Sequence, residues 1–175
     1  MLFYNGKSKL TGCEAMGKEI KTNAMRILEK NKVAYEMHLY ESEGFMDGVS
    51  VATKLSQPLE KTFKTLVAQG KTKNYYVFVI PVAKEVDMKK AAKAVGEKSV
   101  EMIPVKDLTS VTGYVRGGCS PVGMKKQFPT VIHESAKAQS TIMVSGGRLG
   151  SQIELKPEEL AKIIRAKFAD IIMEG

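Results

Sequence analysis

The chain has 175 residues, of which 43% are hydrophobic, and it carries a formal net charge of +8. This length and composition predict one globular domain with a buried core. The sequence contains no apolar run long enough to span a membrane. Its two cysteines are too few for a disulfide framework, and its two histidines lack the spacing of metal ligands. We therefore expect a cytoplasmic protein without a metal site.

The positive charge, with an isoelectric point near 9.4, allows two interpretations. Lys and Arg side chains on one face release counterions when they meet phosphates, which favours a polyanionic partner. A basic surface that only keeps the protein soluble explains the charge equally well.

Residues 1–20 differ from the rest of the chain. They are polar, punctuated by glycines, and show no sustained periodicity. We interpret them as an N-terminal extension to which no function is assigned, and we place the folded domain at residues 21–175.

Helical and strand-like periodicities begin at Thr22. Capping residues predict helices that begin after Thr22 or Asn23, near Asp47 and at Asp87, and Pro104 begins a further short helix. Alternation and short apolar runs predict the strands, which are 33–39, 63–68, 75–80, 99–103, 130–133, 141–144 and 152–155. The glycine turn at 70–74 makes the second and third strands a hairpin.

The C-terminal segment predicts one long helix. Pro157 stands at its start, followed by two acidic residues in the first turn. Apolar residues then recur at helical spacing: Leu160, Ile163, Ile164, Phe168, Ile171 and Ile172. Together, interspersed strands and helices of which only some form hairpins predict an α+β domain with a mixed sheet.

A glycine-rich loop at 113–126 is the first candidate site. Gly117 and Gly118 can adopt positive φ, so that several backbone N–H groups point into one concavity and bind an anion or a developing oxyanion. The competing interpretation is an ordinary turn, which is the commoner role of such loops.

Lys64 is the second candidate, because it projects from a mostly apolar strand. Burying an ammonium without a partner is costly. Lys64 therefore either meets a negatively charged substrate group, or reaches solvent or a carboxylate. Strand patterning alone leaves these alternatives open.

Three separated motifs carry a family resemblance. They are Phe63-Lys64-Thr65-Leu66, the glycine loop, and Val144-Ser145-Gly146-Gly147. Their order resembles that of the YbaK family of aminoacyl-tRNA deacylases, relatives of the editing domain of bacterial prolyl-tRNA synthetases. The resemblance runs from about residue 21 to about residue 172. It implies a curved or barrel-like mixed sheet flanked by helices, with a pocket near the glycine loop.

The resemblance also implies roles for individual residues. Lys64 would be the important lysine, and Gly117 and Gly118 would contact the substrate and stabilise the oxyanion. Cysteine-specific members need little from protein side chains, since the substrate's own thiol is thought to attack its ester carbonyl. Residues that would bind the substrate are Tyr40, Phe45 or Met46, Thr65, Ser120, Ser145, Gly146 and Gln152.

Two of these positions, and the neighbouring Cys119, carry qualifications. Cysteine-editing relatives have an aspartate where this chain has Gln152, and an amide can accept a hydrogen bond but cannot form an ion pair with the substrate's ammonium. This puts the amino-acid specificity in doubt. Ser120 lacks an assigned base and is interpreted as a structural hydroxyl. Cys119 is interpreted as a small buried residue rather than a nucleophile.

Basic residues around the loops are candidates for contacts with tRNA phosphates: Arg116, Lys125, Lys126 and Arg148, with Lys71 and Lys73 on the hairpin turn. Each alone is more readily explained as a solvated surface charge. We predict an editing enzyme for Cys-tRNA(Pro), or for another small amino acid such as Ala, with prolyl-tRNA synthetase as a transient partner. Such an enzyme should need no metal or organic cofactor. The alternatives are a non-catalytic module that binds aminoacyl-tRNA or nucleotide, and a plain interaction domain. The sequence does not predict the oligomeric state.

Overall fold

The computed structural model describes residues 21–174, so the predicted N-terminal extension lies outside the described residues. Five α-helices occur in this range: α1 (Asn23–Lys30), α2 (Gly48–Lys54), α3 (Met88–Val95), α4 (Val105–Thr112) and α5 (Pro157–Ile164). The strands are β1 (Glu36–Leu39), β2 (Phe63–Gly70), β3 (Tyr75–Pro81), β4 (Val100–Met102), β5 (Thr130–His133), β6 (Ile142–Ser145), β7 (Ser151–Leu155) and β8 (Lys167–Ala169). None of the described helices combines the length and the hydrophobicity that a membrane span requires.

The strands form two sheets. A three-stranded antiparallel sheet has the order β1-β7-β6, and a five-stranded sheet has the order β4-β2-β3-β5-β8. The larger sheet is mixed, because β5 runs parallel to both β3 and β8 while β2 runs antiparallel to its neighbours. The predicted α+β class is therefore confirmed. The two sheets do not close into a barrel over the described residues; a single parallel bridge between Thr62 and Met143 links them.

Local capping chemistry sets the helix starts as the sequence predicted. The side chain of Thr22 accepts a hydrogen bond from the Met25 amide at the start of α1, and Asp47 accepts one from the Ser50 amide at the start of α2. Asp87 does the same for α3 with two amides. These side chains satisfy N–H groups that have no partner within the helix.

The prediction of one C-terminal helix as far as Ile172 is wrong. Helix α5 ends at Ile164, Arg165 adopts a left-handed conformation with φ of 56°, and the chain turns back as β8, parallel to β5. Beyond β8 the Ile171 carbonyl accepts a hydrogen bond from the Asp87 amide. Apolar residues at intervals of three and four are compatible with a helix, but strand pairing with β5 decides the conformation after Arg165.

The larger sheet separates two hydrophobic clusters. Phe63 and Val67 of β2 belong to the cluster that also contains buried residues of α1, α5 and the smaller sheet. Ala68, Phe78 and Ile80 belong to the cluster beneath α3. Strand β2 thus contributes to both clusters, and its first half directly follows Thr62, where the bridge links the two sheets.

Candidate active site

A gap along one edge of β2 creates the candidate site. Strand β2 pairs with β3 from Phe63 to Gln69, whereas its other edge pairs with β4 only from Ala68 to Gly70. At the opposite end, the bridge at Thr62 joins that edge to β6. Among the described residues no further strand ladder covers the edge between these points. Five consecutive residues, 63–67, therefore line a cavity.

This cavity has a volume of about 550 Å³, which is within the range of small-molecule sites. Besides β2, four segments line it: the loop and first turn of α2 at 45–51, the segment 82–85, residues 102–108, and the glycine loop. Ser145 of β6 and Gln152 of β7 close it from the smaller sheet. Segments far apart in sequence thus meet at one site.

Lys64 lines the cavity with 28% of its side chain exposed. Its Nζ lies 3.8 Å from Oε2 of Glu85, whose side chain is 78% exposed. An ion pair this long and this exposed contributes little. The ammonium group is therefore available to a negatively charged atom in the cavity.

The two glycines of the loop have different roles in the structure. Gly117 lines the cavity and has φ of 86°, and a methyl group added to it would lie 2.7 Å from Leu149 Cδ2 and 3.1 Å from Phe45 Cδ1. Gly118 packs instead against the backbone at Arg148, and its amide donates to the Val115 carbonyl at 2.9 Å. The expectation that the amides of both glycines point into the site is therefore corrected for Gly118, because a turn already uses its N–H group.

Two buried polar atoms of the cavity lining have no hydrogen-bond partner among the described residues: Gln152 Oε1 and Thr65 Oγ1. Gln152 is only 7% exposed. Ser145 also lines the cavity, and its hydroxyl accepts from the Gly147 amide at 3.1 Å. Because buried polar groups are normally paired, the two unpaired atoms mark this cavity as a place where a ligand can complete the hydrogen bonding.

Three other predicted substrate contacts lie outside the cavity lining. Ser120 is fully buried, and its hydroxyl accepts from the Val122 amide at 3.2 Å. The Gly146 amide donates to the Ser151 carbonyl, which closes the turn between β6 and β7. Tyr40 follows β1, where its amide donates to the Gly150 carbonyl at 3.0 Å. All three stabilise the loops that carry the site.

Phe45 and Arg116 form one side of the cavity mouth. The Phe45 side chain is 52% exposed, and the Arg116 guanidinium lies 4.0 Å from the centre of its ring. The other predicted tRNA-contacting residues, Lys125, Lys126 and Arg148, are exposed. Lys125 Nζ donates to the Ser110 carbonyl of α4 at 3.2 Å, so this cation is held near a helix that contributes to the lining.

Sequence reasoning missed two carboxylates of the lining, Asp47 and Glu85. Asp47 was predicted only as a helix cap, a role it has. Ser50 donates its backbone amide and its hydroxyl to the carboxylate, and the amide hydrogen bond is the main cause of the lowered pKa of Asp47. Nothing in the local pattern indicates that either acid faces the site.

Cys119 also lines the cavity, but it is not suited to act as a nucleophile. The residue is 7% exposed, and burial raises the pKa of its thiol to about 11. At neutral pH the side chain is therefore a neutral thiol, and the reactive species of a cysteine is the thiolate.

One group of potential metal ligands occurs among the described residues. Glu36, His38 and Glu154 present donor atoms within 4.8 Å of one another. However, Lys61 Nζ lies 2.6 Å from Glu154 Oε2 and His38 Nε2 lies 2.8 Å from Glu154 Oε1. The ammonium already supplies the positive charge that a cation would bring, so we describe this group as an ion network.

Residues 43–163, which include the lining segments from 45 to 152, match the profile of the aminoacyl-tRNA editing domain. The chain belongs to the aminoacyl-tRNA editing domain family. An Enterococcus faecalis protein, provisionally named Cys-tRNA(Pro)/Cys-tRNA(Cys) deacylase EbsC, is 49% identical over 152 residues. The alignment covers 86% of this chain and 93% of that protein. The resemblance drawn from the three motifs is therefore confirmed.

Solved structures share the fold of this chain. A protein described provisionally as a trans-editing enzyme for prolyl-tRNA synthetase superposes with a TM-score of 0.77 at 21% identity, covering 87% of this chain and 96% of its own. A hypothetical protein superposes with a TM-score of 0.79 at 20% identity, covering 87% of this chain and all of its own. At these identities the likeness establishes the fold alone.

Proposed function

We propose that this editing-domain chain is a trans-editing hydrolase that removes a mischarged amino acid from tRNA, with Cys-tRNA(Pro) as its preferred substrate. The observation that supports this most directly is the convergence of Lys64 and Gly117 on one cavity. That cavity also carries the unpaired acceptors of Gln152 and Thr65. It therefore offers a small polar ester a cation, the backbone of the glycine loop at Gly117, and hydrogen-bonding groups without a partner among the described residues.

Negative charge develops on the ester carbonyl oxygen during acyl transfer. The Lys64 ammonium lies in the lining and can stabilise that charge or the adjacent phosphate. Gly117 lets Phe45 and Leu149 pack directly against the glycine loop, because a side chain at this position would overlap both of them. The protein's contribution is thus orientation and electrostatic stabilisation, and orientation alone lowers a barrier by roughly 7–11 kcal/mol in favourable intramolecular reactions.

The nucleophile in this proposal belongs to the substrate. The thiol sulfur of a cysteinyl ester attacks the ester carbonyl carbon, a C–S bond forms, and the bond from that carbon to the ribose oxygen breaks. The ribose oxygen takes up a proton, which leaves free tRNA and a cyclic thioester that water then opens. For alanine, which lacks a thiol, water must be the nucleophile from the start.

The cavity mouth is suited to the end of a tRNA. Exposed Phe45, stacked against Arg116, offers an aromatic face to a terminal base. Arg148, Lys125 and Lys126 would meet phosphates farther along the acceptor end. We expect the reaction to occur in the cytoplasm, with prolyl-tRNA synthetase as a transient partner, because one small domain has little surface with which to select its tRNA.

Single-turnover deacylation assays test the proposal. Cys-tRNA(Pro) should lose its amino acid rapidly, Ala-tRNA(Pro) more slowly, and correctly charged Pro-tRNA(Pro) at the spontaneous rate. Tight binding of Cys-tRNA(Pro) without release would indicate a non-catalytic binding module. Neither binding nor release would leave a plain interaction domain and would refute the editing assignment.

A further inference from the structure

The charges of the cavity lie at its mouth and are absent from its floor. Among the described residues of the lining, the ionised side chains are Asp47, Lys64, Glu85 and Arg116, and each is partly or largely exposed. The buried part of the lining is apolar or neutral, as at Phe63, Val67, Ser145 and Gln152. This separation restricts how a charged ester can enter.

An aminoacyl ester carries an α-ammonium group, and this group needs a negatively charged partner or water. Gln152 Oε1 in the floor can accept a hydrogen bond but carries no charge. Moving an ammonium into such a floor would leave the charge uncompensated at a high free-energy cost. The ammonium therefore belongs at the mouth, and an uncharged part of the substrate belongs in the floor.

Asp47 is the mouth carboxylate that the structure holds in place. Its Oδ1 accepts from the Ser50 amide at 2.8 Å and its Oδ2 from the Ser50 hydroxyl at 3.2 Å, so each oxygen keeps a further lone pair for a ligand. A methyl group at Gly48 would overlap the Val82 side chain, which shows how closely the start of α2 packs on the segment leading to Glu85. Both carboxylates are exposed, but Glu85 already lies beside Lys64.

We propose that Asp47 binds the α-ammonium of the aminoacyl ester at the cavity mouth, while the uncharged amino-acid side chain enters the floor beside Gln152 and Thr65. This inference rests on the proposed editing function. The two unpaired acceptors in the floor then favour a small side chain with a hydrogen-bond donor, such as a thiol or hydroxyl. A charged amino-acid side chain would find no counter-ion there.

The test compares Cys-tRNA(Pro) with N-acetyl-Cys-tRNA(Pro), which keeps the thiol and the ester but has no ammonium. Asp47→Asn removes the charge and retains the cap, because Asn is as good an N-cap as Asp. Asp87→Asn is the matched control, since Asp87 caps α3 in the same way. Glu85→Gln tests the other mouth carboxylate.

Asp47→Asn should slow single-turnover deacylation of Cys-tRNA(Pro) about tenfold, as expected for the removal of a charge-assisted hydrogen bond, and leave N-acetyl-Cys-tRNA(Pro) unaffected. Asp87→Asn should change neither rate. An equal effect of Asp47→Asn on both esters would overturn the assignment to Asp47. The same would follow if only Glu85→Gln slowed Cys-tRNA(Pro) more than N-acetyl-Cys-tRNA(Pro). If the unaltered protein cleaves neither ester, the proposed function itself fails, and this inference fails with it.

Discussion

Two polar side chains stand two residues apart on β7 and have opposite environments. Glu154 accepts from His38 at 2.8 Å and from Thr141 at 2.6 Å, and it pairs with Lys61 at 2.6 Å. The side-chain oxygen of Gln152 is buried in the cavity lining without a partner among the described residues. The same strand thus carries a fully satisfied group and an unsatisfied one.

The difference indicates that Glu154 serves the stability of the fold, whereas Gln152 serves ligand binding. The Glu154 network joins β1, β7 and the segment before β2, so its hydrogen bonds hold the smaller sheet to the chain around it. An unpaired buried acceptor such as Gln152 Oε1 costs about 1–3 kcal/mol in the folded protein. That cost is compatible with a site where a ligand supplies the missing donor. The following substitutions test whether the two regions are as independent as this comparison requires.

The largest effect is expected at the cavity. Lys64→Ala should lower the deacylation rate about 100- to 1,000-fold, because one preorganised group that stabilises developing charge has about this effect. Stability should change little, since the ion pair with Glu85 is long and exposed. Single-turnover rates and circular dichroism measure the two properties, with Lys89→Ala on α3 as the control. Activity retained by folded Lys64→Ala would remove this residue from the mechanism.

Gly117→Ala should lower activity about 100-fold, because a displaced substrate loses rate steeply with small errors in position. The added methyl group would lie 2.7 Å from Leu149 Cδ2 and close to Phe45. Gly96→Ala is a matched control: Gly96 also has positive φ, at 76°, but nothing lies within 4 Å of the added methyl group. Both variants should lose about 1 kcal/mol of stability from backbone strain. Equal activity in the two would contradict a steric role for Gly117.

Glu154→Gln should reduce the free energy of unfolding by about 1.5–3 kcal/mol at neutral pH, the usual range for hydrogen bonds to a charged group. Hydrogen bonding to His38, followed by that to Lys61, lowers the pKa of this carboxyl below its ordinary value of 4.5. Its stabilisation is therefore present above that value and is lost as the pH falls toward the folded-state pKa.

Urea unfolding of the wild type and Glu154→Gln at several pH values checks this prediction. The stability difference should be constant near neutrality and shrink below about pH 4.5. The deacylation rate of the folded variant should stay near that of the wild type. A difference that grows toward acid pH would refute the assigned direction of the pKa shift.

Reversing the charges of Lys125 and Lys126 to Glu should weaken tRNA binding and flatten its salt dependence. The logarithmic slope should fall by about one unit for each phosphate that the variant no longer neutralises. Titrations over a range of salt concentrations measure both quantities. The same reversal at Lys89 and Lys93, exposed on α3, changes the net charge equally and serves as the control. Identical salt slopes in the two double variants would show that only the net charge matters, and would contradict a specific phosphate contact at Lys125 and Lys126.

Cys119→Ala should have the smallest effect, less than about threefold in rate. Burial raises the pKa of this thiol to about 11, so very little thiolate exists at neutral pH. Single-turnover rates across pH 6–9 check the prediction. A decrease as large as that of Lys64→Ala would indicate that the protein supplies the nucleophile.

Local periodicity and capping chemistry determined most of the secondary structure. Thr22, Asp47 and Asp87 begin helices as predicted, and the hairpin of β2 and β3 forms around the glycine turn. These features depend on hydrogen bonds and burial within a few residues, which a sequence pattern records directly. The motif containing Lys64 was recognised through the family resemblance, and the conformational freedom of Gly117 follows from its residue type.

Only the tertiary structure decided which groups share the cavity. Strand pairing of β8 with β5 ended α5 at Ile164, and a turn hydrogen bond withdrew the Gly118 amide from the site. The presence of Asp47, Glu85 and Lys64 in one cavity lining depends on the packing of α2 on the segment after β3 and on the open edge of β2. Such interactions join residues that are distant in sequence, so no local pattern encodes them.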